Sequence, residues 1–187
     1  MGFESKDYDI TKLTQVNTMA RITNTNVPSI ERVKGMYRLW GKPYLNNDLR
    51  VFLLKYYNNI LGLGNRVAHF VQNAEIRCTF CLLSNKPDPV PESFEHIFYS
   101  CPSTQNILKK FFEKFLTPIL SAETYFTGSG IDGNEKENVP YSLTLDILRY
   151  YIWQCKLNKK LPIFSCIIED VSYTINVTRK TNMEISD

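Results

Sequence analysis

From residue 28 onward, apolar residues recur at the three- and four-residue intervals of an α-helix, and nowhere do two alternating runs meet at a hairpin turn. In VPSIERVKGMYRLWG, Ile30, Val33, Tyr37 and Trp40 share one face. Pro28 and Ser29 mark its start, and Gly41 with Pro43 its end. NNDLRVFLLKYYNNILGLG repeats the pattern through Leu49, Phe52, Leu53, Tyr56 and Ile60, with Gly62 and Gly64 as the expected stop. ESFEHIFYSC predicts a short helix carrying His96. PSTQNILKKFFEKFL predicts another, capped by Ser103 or Thr104, with Ile107, Leu108, Phe111 and Phe115 turned inward. Towards the C-terminus, Leu145, Leu148, Tyr151, Ile152 and Cys155 form the stripe of a strong helix. Pro162 breaks the chain, and a last helix is expected over roughly 163–180. The pattern predicts a mainly α fold without internal repeats.

The stretches between these helices suggest how the chain divides. Residues 1–27 are rich in Thr and Asn and read as a polar lead-in, expected to be mobile. Residues 28–120 read as a helical domain, 121–140 as a linker or surface loop with three glycines, and 141–187 as a C-terminal helical segment. Pro87, Pro89 and Pro91 in SNKPDPVP forbid a helix and predict an exposed loop.

Composition narrows the class. With 43% hydrophobic and 22% charged residues over 187 positions, the chain is globular rather than disordered and long enough to bury a core. No apolar run approaches the roughly 18 residues of a membrane span. The opening MGFESKDYDITKL is acidic and lacks an apolar core, so it does not read as a secretory signal. Lys6 stands where a myristoylation site wants Ser or Thr. The expected setting is therefore nuclear or cytoplasmic and reducing, where closely spaced cysteines point to metal rather than to disulfides.

RCTFCLLSNKPDPVPESFEHIFYSC holds three of the five cysteines and one of the two histidines. Cys78 and Cys81 are separated by two residues, a spacing that lets a tight turn bring two sulfurs to one ion. His96 and Cys101 form the second pair, with four residues between them. On an α-helix at 100° per residue these two would stand about 140° apart. The helix is therefore expected to end near Tyr99, so that Cys101, followed by Pro102, swings back. The four residues predict one structural Zn2+ in a Cys-Cys-His-Cys (CCHC) knuckle around which the small domain is organised. Three thiolates, one imidazole and a dication leave a formal charge of −1, which Arg77 is placed to offset. Cys155 and Cys166 sit in apolar helical contexts and read as core residues. His69 reads as a packing or hydrogen-bonding residue rather than a ligand.

The net charge of +3 says little, but its distribution says more. Residues 30–77 contain Arg32, Lys34, Arg38, Lys42, Arg50, Lys55, Arg66 and Arg77 against three acids, whereas 82–137 are net acidic. Basic residues on successive helices suit a phosphate-contacting face. The competing reading is that they are solvated helix faces.

The run from about 49 to 116 resembles the zinc-binding region that follows the polymerase domain in reverse transcriptases of non-LTR retrotransposons. That pattern is a helix, a connector, Cys-x2-Cys, a variable loop, then Glu-x-x-x-His-Ile/Leu-Phe-x-x-Cys-Pro. It is matched here by Cys78, Cys81, Glu92 or Glu95, His96, Ile97, Phe98, Cys101 and Pro102. The segment ILRYYIWQCKLNKKLPIFSCII is more loosely similar to the helical tail of such proteins. The resemblance implies a region that helps a polymerase hold template RNA or target DNA.

No catalytic constellation is legible. The polymerase Tyr-Xaa-Asp-Asp motif is absent, and Asp7 and Asp9 flank Tyr8 only in the polar lead-in. Asp88 lacks the partners of a nuclease site, and no Gly-rich phosphate loop or Gly-x-Ser-x-Gly occurs. The expectation is a non-enzymatic module with no membrane or small-molecule partner. Two readings stand. In the first it binds RNA or DNA, with Tyr44, Tyr57 or Phe80 exposed for stacking on bases. In the second it is a zinc-stabilised surface for a polymerase domain or another protein chain.

Overall fold

The first described helix, α1 (Asn47–Tyr57), starts where the side-chain oxygen of Asn46 accepts the Leu49 N–H at 2.7 Å. Asp48 lies in its first turn and Lys55 in its last, each at the favourable end of the helix dipole. The computed structural model of the chain describes residues 45–114 and 135–184, so the helix expected in VPSIERVKGMYRLWG, and Phe115, lie outside the described residues. After α1 come α2 (Gly64–Val67, a single turn), α3 (Thr79–Leu83), a π turn (His96–Ser100), α4 (Pro102–Lys114), α5 (Glu135–Leu157) and α6 (Phe164–Glu184). Among the described residues the one β pairing is an isolated antiparallel bridge between Arg77 and Pro91. The fold is mainly α. No helix among the described residues is long and apolar enough to cross a membrane.

Leu49, Phe52, Leu53 and Tyr56 are buried, as the stripe predicts. Ile60 is 47% exposed, because α1 has already ended. Its stop is neither Gly62 nor Gly64. Asn59 adopts a φ of 51°, and the N–H groups of Asn59 and Ile60 reach back to the Tyr56 and Lys55 carbonyls at 3.0 and 2.9 Å. This is a Schellman closure with asparagine in the place of the usual glycine. The same closure ends α3 at Asn85 and α5 at Lys159. Gly64 serves close approach instead: a Cβ there would lie 2.8 Å from the Glu75 carbonyl oxygen and 3.0 Å from the Ile76 Cα.

The helices surround one apolar core. α5 packs against α1, α6 and the π turn, and α4 packs against α3, α6 and the π turn. At its centre the rings of Phe52, Tyr56, Phe94 and Phe98 meet, with Tyr56 and Phe98 edge to face at 5.0 Å. Residues on both sides of the 121–140 stretch belong to this core. α5 begins at Glu135, inside that expected loop; Glu135, Lys136 and Glu137 favour a helix but offer no apolar stripe by which to predict one. Further on, residues 143–149 are buried without interruption, so α5 runs through the core there rather than along its edge.

That passage buries two charges. Arg149 Nη1 donates to Asp146 Oδ1 at 2.7 Å, and the Tyr57 hydroxyl donates to the same oxygen at 2.9 Å. The Arg149 guanidinium also lies over the Tyr56 ring, 5.3 Å from its centroid. Burial pushes the Asp146 carboxyl above the usual carboxylate range, against the pull of Arg149.

Candidate metal centre

Local geometry brings the two ligand pairs together. The bridge between Arg77 and Pro91 closes the proline loop, with the Cys78 N–H on the Val90 carbonyl at 2.8 Å and the Glu92 N–H on the Ile76 carbonyl at 2.6 Å. Cys78 caps α3 and Cys81 lies within it, so the short helix itself sets the turn between the two sulfurs. The second pair is set differently from expectation. The helix does not stop at Tyr99; it widens, and the Cys101 N–H bonds to the His96 carbonyl five residues back at 2.7 Å. This π turn fits one more residue into the turn than an α-helix holds, which returns Cys101 to the side of His96. Cys101 then leaves the helix in extended geometry, φ −62° and ψ 131°.

Cys101 also caps the next helix. α4 starts at Pro102, whose missing N–H costs nothing at a first helical position. The cap is neither Ser103 nor Thr104. The Thr104 hydroxyl donates to the Ile97 carbonyl at 2.7 Å, and Ser103 Oγ pairs with Ser84 Oγ at 3.1 Å. The Cys101 carbonyl accepts the Gln105 N–H at 2.8 Å, the first bond of the helix, and the Ser103 and Thr104 amides favour the thiolate form of its sulfur.

The side chains of Cys78, Cys81, His96 and Cys101 are all buried, and their donor atoms lie within 4.8 Å of one another. Cys101 Sγ is 3.9 Å from both Cys78 Sγ and Cys81 Sγ, and Cys81 Sγ is 3.3 Å from His96 Nε2. Zinc–sulfur bonds of about 2.3 Å and a zinc–nitrogen bond of about 2.05 Å on a tetrahedron require about 3.8 Å between sulfurs and about 3.6 Å between sulfur and nitrogen. The donors fit a metal ion of that size. Nε2 faces the sulfurs, and Nδ1 lies 3.5 Å from Ser100 Oγ, the outer contact that fixes a ligating ring.

The thiols are electrostatically unequal. The hydrogen bond from Cys78, helped by the Ser103 and Thr104 amides, holds Cys101 down to about 5 against the effect of burial. Its partner Cys78 is pushed up by that hydrogen bond and by burial, and Cys81 chiefly by burial. Arg77 does not offset the cluster's charge. Its guanidinium is forked onto Glu75 at 2.8 and 2.6 Å, and that bond holds the Glu75 carboxyl down to about 2. Backbone N–H groups take over that task. Those of Cys81, Val90, Ser103 and Thr104 each favour the thiolate form of one of the three sulfurs.

Compared with protein families, curated proteins and solved structures, the chain matches none.

Glu92, one of the two candidates for the acid of the Glu-x-x-x-His pattern, has a structural role that the sequence did not reveal. It is only 2% exposed, and its carboxylate accepts the Gly64 N–H at 3.0 Å, the Thr79 N–H at 3.2 Å and the Thr79 hydroxyl at 2.8 Å. Lys156, from α5, reaches the same carboxylate at 3.3 Å and the Gly62 carbonyl at 2.7 Å. One side chain thus ties α2, α3 and α5 to the segment that carries His96. Glu92→Gln keeps the shape, removes the charge and turns an amide N–H towards donors. It should cost about 2–3 kcal/mol, the range of a hydrogen bond to a charged group, read from the denaturant midpoint, with metal content unchanged.

The other predicted site residues are scattered. Arg32, Lys34, Arg38, Lys42 and Tyr44 lie outside the described residues. Arg50 is half-buried, and Lys55 is exposed but stands about 140° away around α1, so the two do not share a face. Arg66 is exposed, and Arg77 is exposed but paired with Glu75. Tyr57 and Phe80 are not available for stacking: both are buried, Phe80 beside the cysteines and Tyr57 on Asp146. Each lies on the apolar face of its own helix, which an aromatic count cannot reveal. Cys155 is buried as expected and Cys166 only partly. His69, expected to pack or to make a hydrogen bond rather than to bind a metal, is exposed.

Proposed function

We propose that this chain is a zinc-organised nucleic-acid-binding module. One structural Zn2+ is held by Cys78, Cys81, His96 and Cys101 in a CCHC knuckle. The observation that carries this reading is the meeting of four buried donors, all within 4.8 Å of one another and 3.3–3.9 Å apart at three contacts between the pairs. Thiolate-rich sites select soft or borderline ions over magnesium or calcium. Four protein ligands fill zinc's coordination sphere, leaving no position for a substrate, and the module is not an enzyme in this reading. The resemblance to the region downstream of a non-LTR retrotransposon polymerase supplies the nucleic-acid half. Of the basic residues assigned to phosphate, Lys55, Arg66 and Arg77 are exposed among the described residues, and Arg77 is paired with Glu75.

A second reading, a protein-interaction module, is favoured by one observation. The connector before Cys78 carries Phe70 at 81%, Val71 at 51% and Ile76 at 43% exposure. Titration of the zinc-loaded chain with short single-stranded RNA and DNA across a salt series decides between them. Binding should weaken with a log–log slope of about −0.7 for each phosphate contacted. No binding at low salt moves the conclusion to the protein-interaction reading.

A further inference from the structure

A cleft of about 300 Å³ opens between the end of α1, α2 and the segment entering the π turn. Its lining joins the buried apolar Leu61, Leu63 and Phe94 as a floor to polar residues nearer solvent, Arg66, His69 and Ser93. We propose that this cleft seats one nucleotide of a single-stranded nucleic acid, its phosphate on Arg66 and His69 and its base or sugar over the apolar floor. The proposal rests on the nucleic-acid reading above and narrows it to a place.

The polar part of the lining is preset for an anion. The His69 N–H bonds to the Arg66 carbonyl at 3.2 Å, one turn on, so both side chains rise from the same face of the α2 turn. Arg66 Nη1 donates to the Asn59 carbonyl, and Asn59 is fixed by the Schellman closure of α1. That uses one of the five N–H donors of a guanidinium, leaving a fork for phosphate oxygens. Ser93, also in the lining, accepts the His96 N–H on its Oγ at 3.1 Å, which leaves its own proton to donate to a ligand.

Charge and shape choose among occupants. Glu92 reaches the cleft, but its carboxylate is occupied by Lys156 and the Gly64 amide, so the local balance stays positive through Arg66. A bare inorganic anion has no use for the Leu61, Leu63 and Phe94 floor. A nucleotide, with a charged end and a flat, mostly apolar end, uses both.

The test is fluorescence anisotropy of a labelled single-stranded RNA with the full, zinc-loaded chain and its Arg66→Ala and Arg66→Lys variants. Arg66 is exposed, so neither variant should disturb folding. Arg66→Ala should weaken binding about tenfold and reduce the salt slope by about 0.7, one phosphate contact. Arg66→Lys should keep the slope and lose part of the affinity, because a lysine keeps the charge and not the fork. RNA binding by the parent with affinity and slope unmoved in Arg66→Ala overturns the cleft assignment and leaves the nucleic-acid reading standing. No binding by the parent of this RNA, or of a labelled single-stranded DNA of the same length, overturns both. In a parallel titration followed by amide chemical shifts, uridine monophosphate should move Asn65, Arg66 and Ser93 far more than inorganic phosphate or an acidic peptide does. Equal shifts with either of those overturn the assignment to a nucleotide.

Discussion

Stripping zinc with a strong chelator, or replacing Cys78 and Cys81 with Ser, should abolish the helical far-UV signal and the cooperative thermal transition. The expected size follows from two magnitudes. Structural zinc in small sites contributes roughly 10–16 kcal/mol at neutral pH, whereas a whole domain of this size is stable by only about 5–15 kcal/mol. Loss of the metal therefore removes most or all of the margin. The damage should also spread beyond the ligands. Phe80, Ile97 and Phe98 are fully buried beside them, and the proline loop is otherwise closed by the bridge of Arg77 and Pro91 and by the bonds of Thr79 to Glu92. Metal analysis should give one zinc per parent chain and none in the double variant. A reduced, freshly purified chain that keeps its helical signal and thermal midpoint in excess chelator would contradict the structural role.

Asp146→Ala should be the most damaging single change away from the metal, costing about 3–5 kcal/mol. Arg149 is 2% exposed, and the substitution leaves its charge in the core without the carboxylate 2.7 Å away. The Tyr57 hydroxyl loses the same acceptor. A companion variant separates the charge from the packing. Asp146→Leu with Arg149→Met removes both charges at similar volume and should recover most of the loss, because a buried ion pair need not be more stable than a well-packed apolar one. Urea midpoints at constant m-value read both effects. A loss within about 0.5 kcal/mol, the scale of an ordinary surface change, would show that the buried pair carries no net weight.

How much of this was legible in the chain depends on the distance over which each feature is built. The four ligand candidates were visible because their spacing is local, and the inward faces of α1 and α4 because their stripes repeat within a few turns. Stops made by glycine were expected, yet asparagine and lysine adopt the same left-handed geometry at Asn59, Asn85 and Lys159. The buried charge cluster was beyond reach, since Tyr57 meets Asp146 and Arg149 across 89 and 92 residues and no local period records such a meeting. Lys156 and Glu92 are the same case. The stacking role given to Tyr57 and Phe80 failed for a related reason: a ring's surroundings, not its type, decide whether a base can reach it.

The π turn has a consequence for how such sites are sought. His96 and Cys101 meet with four residues between them because the backbone takes in one extra residue per turn there. With three residues between them, an ordinary α-turn would bring the same two side chains together, since positions four apart share a face. The count of intervening residues in the second ligand pair is thus degenerate, with one value for each kind of turn. A search pattern that fixes the count finds one backbone solution and passes over the other.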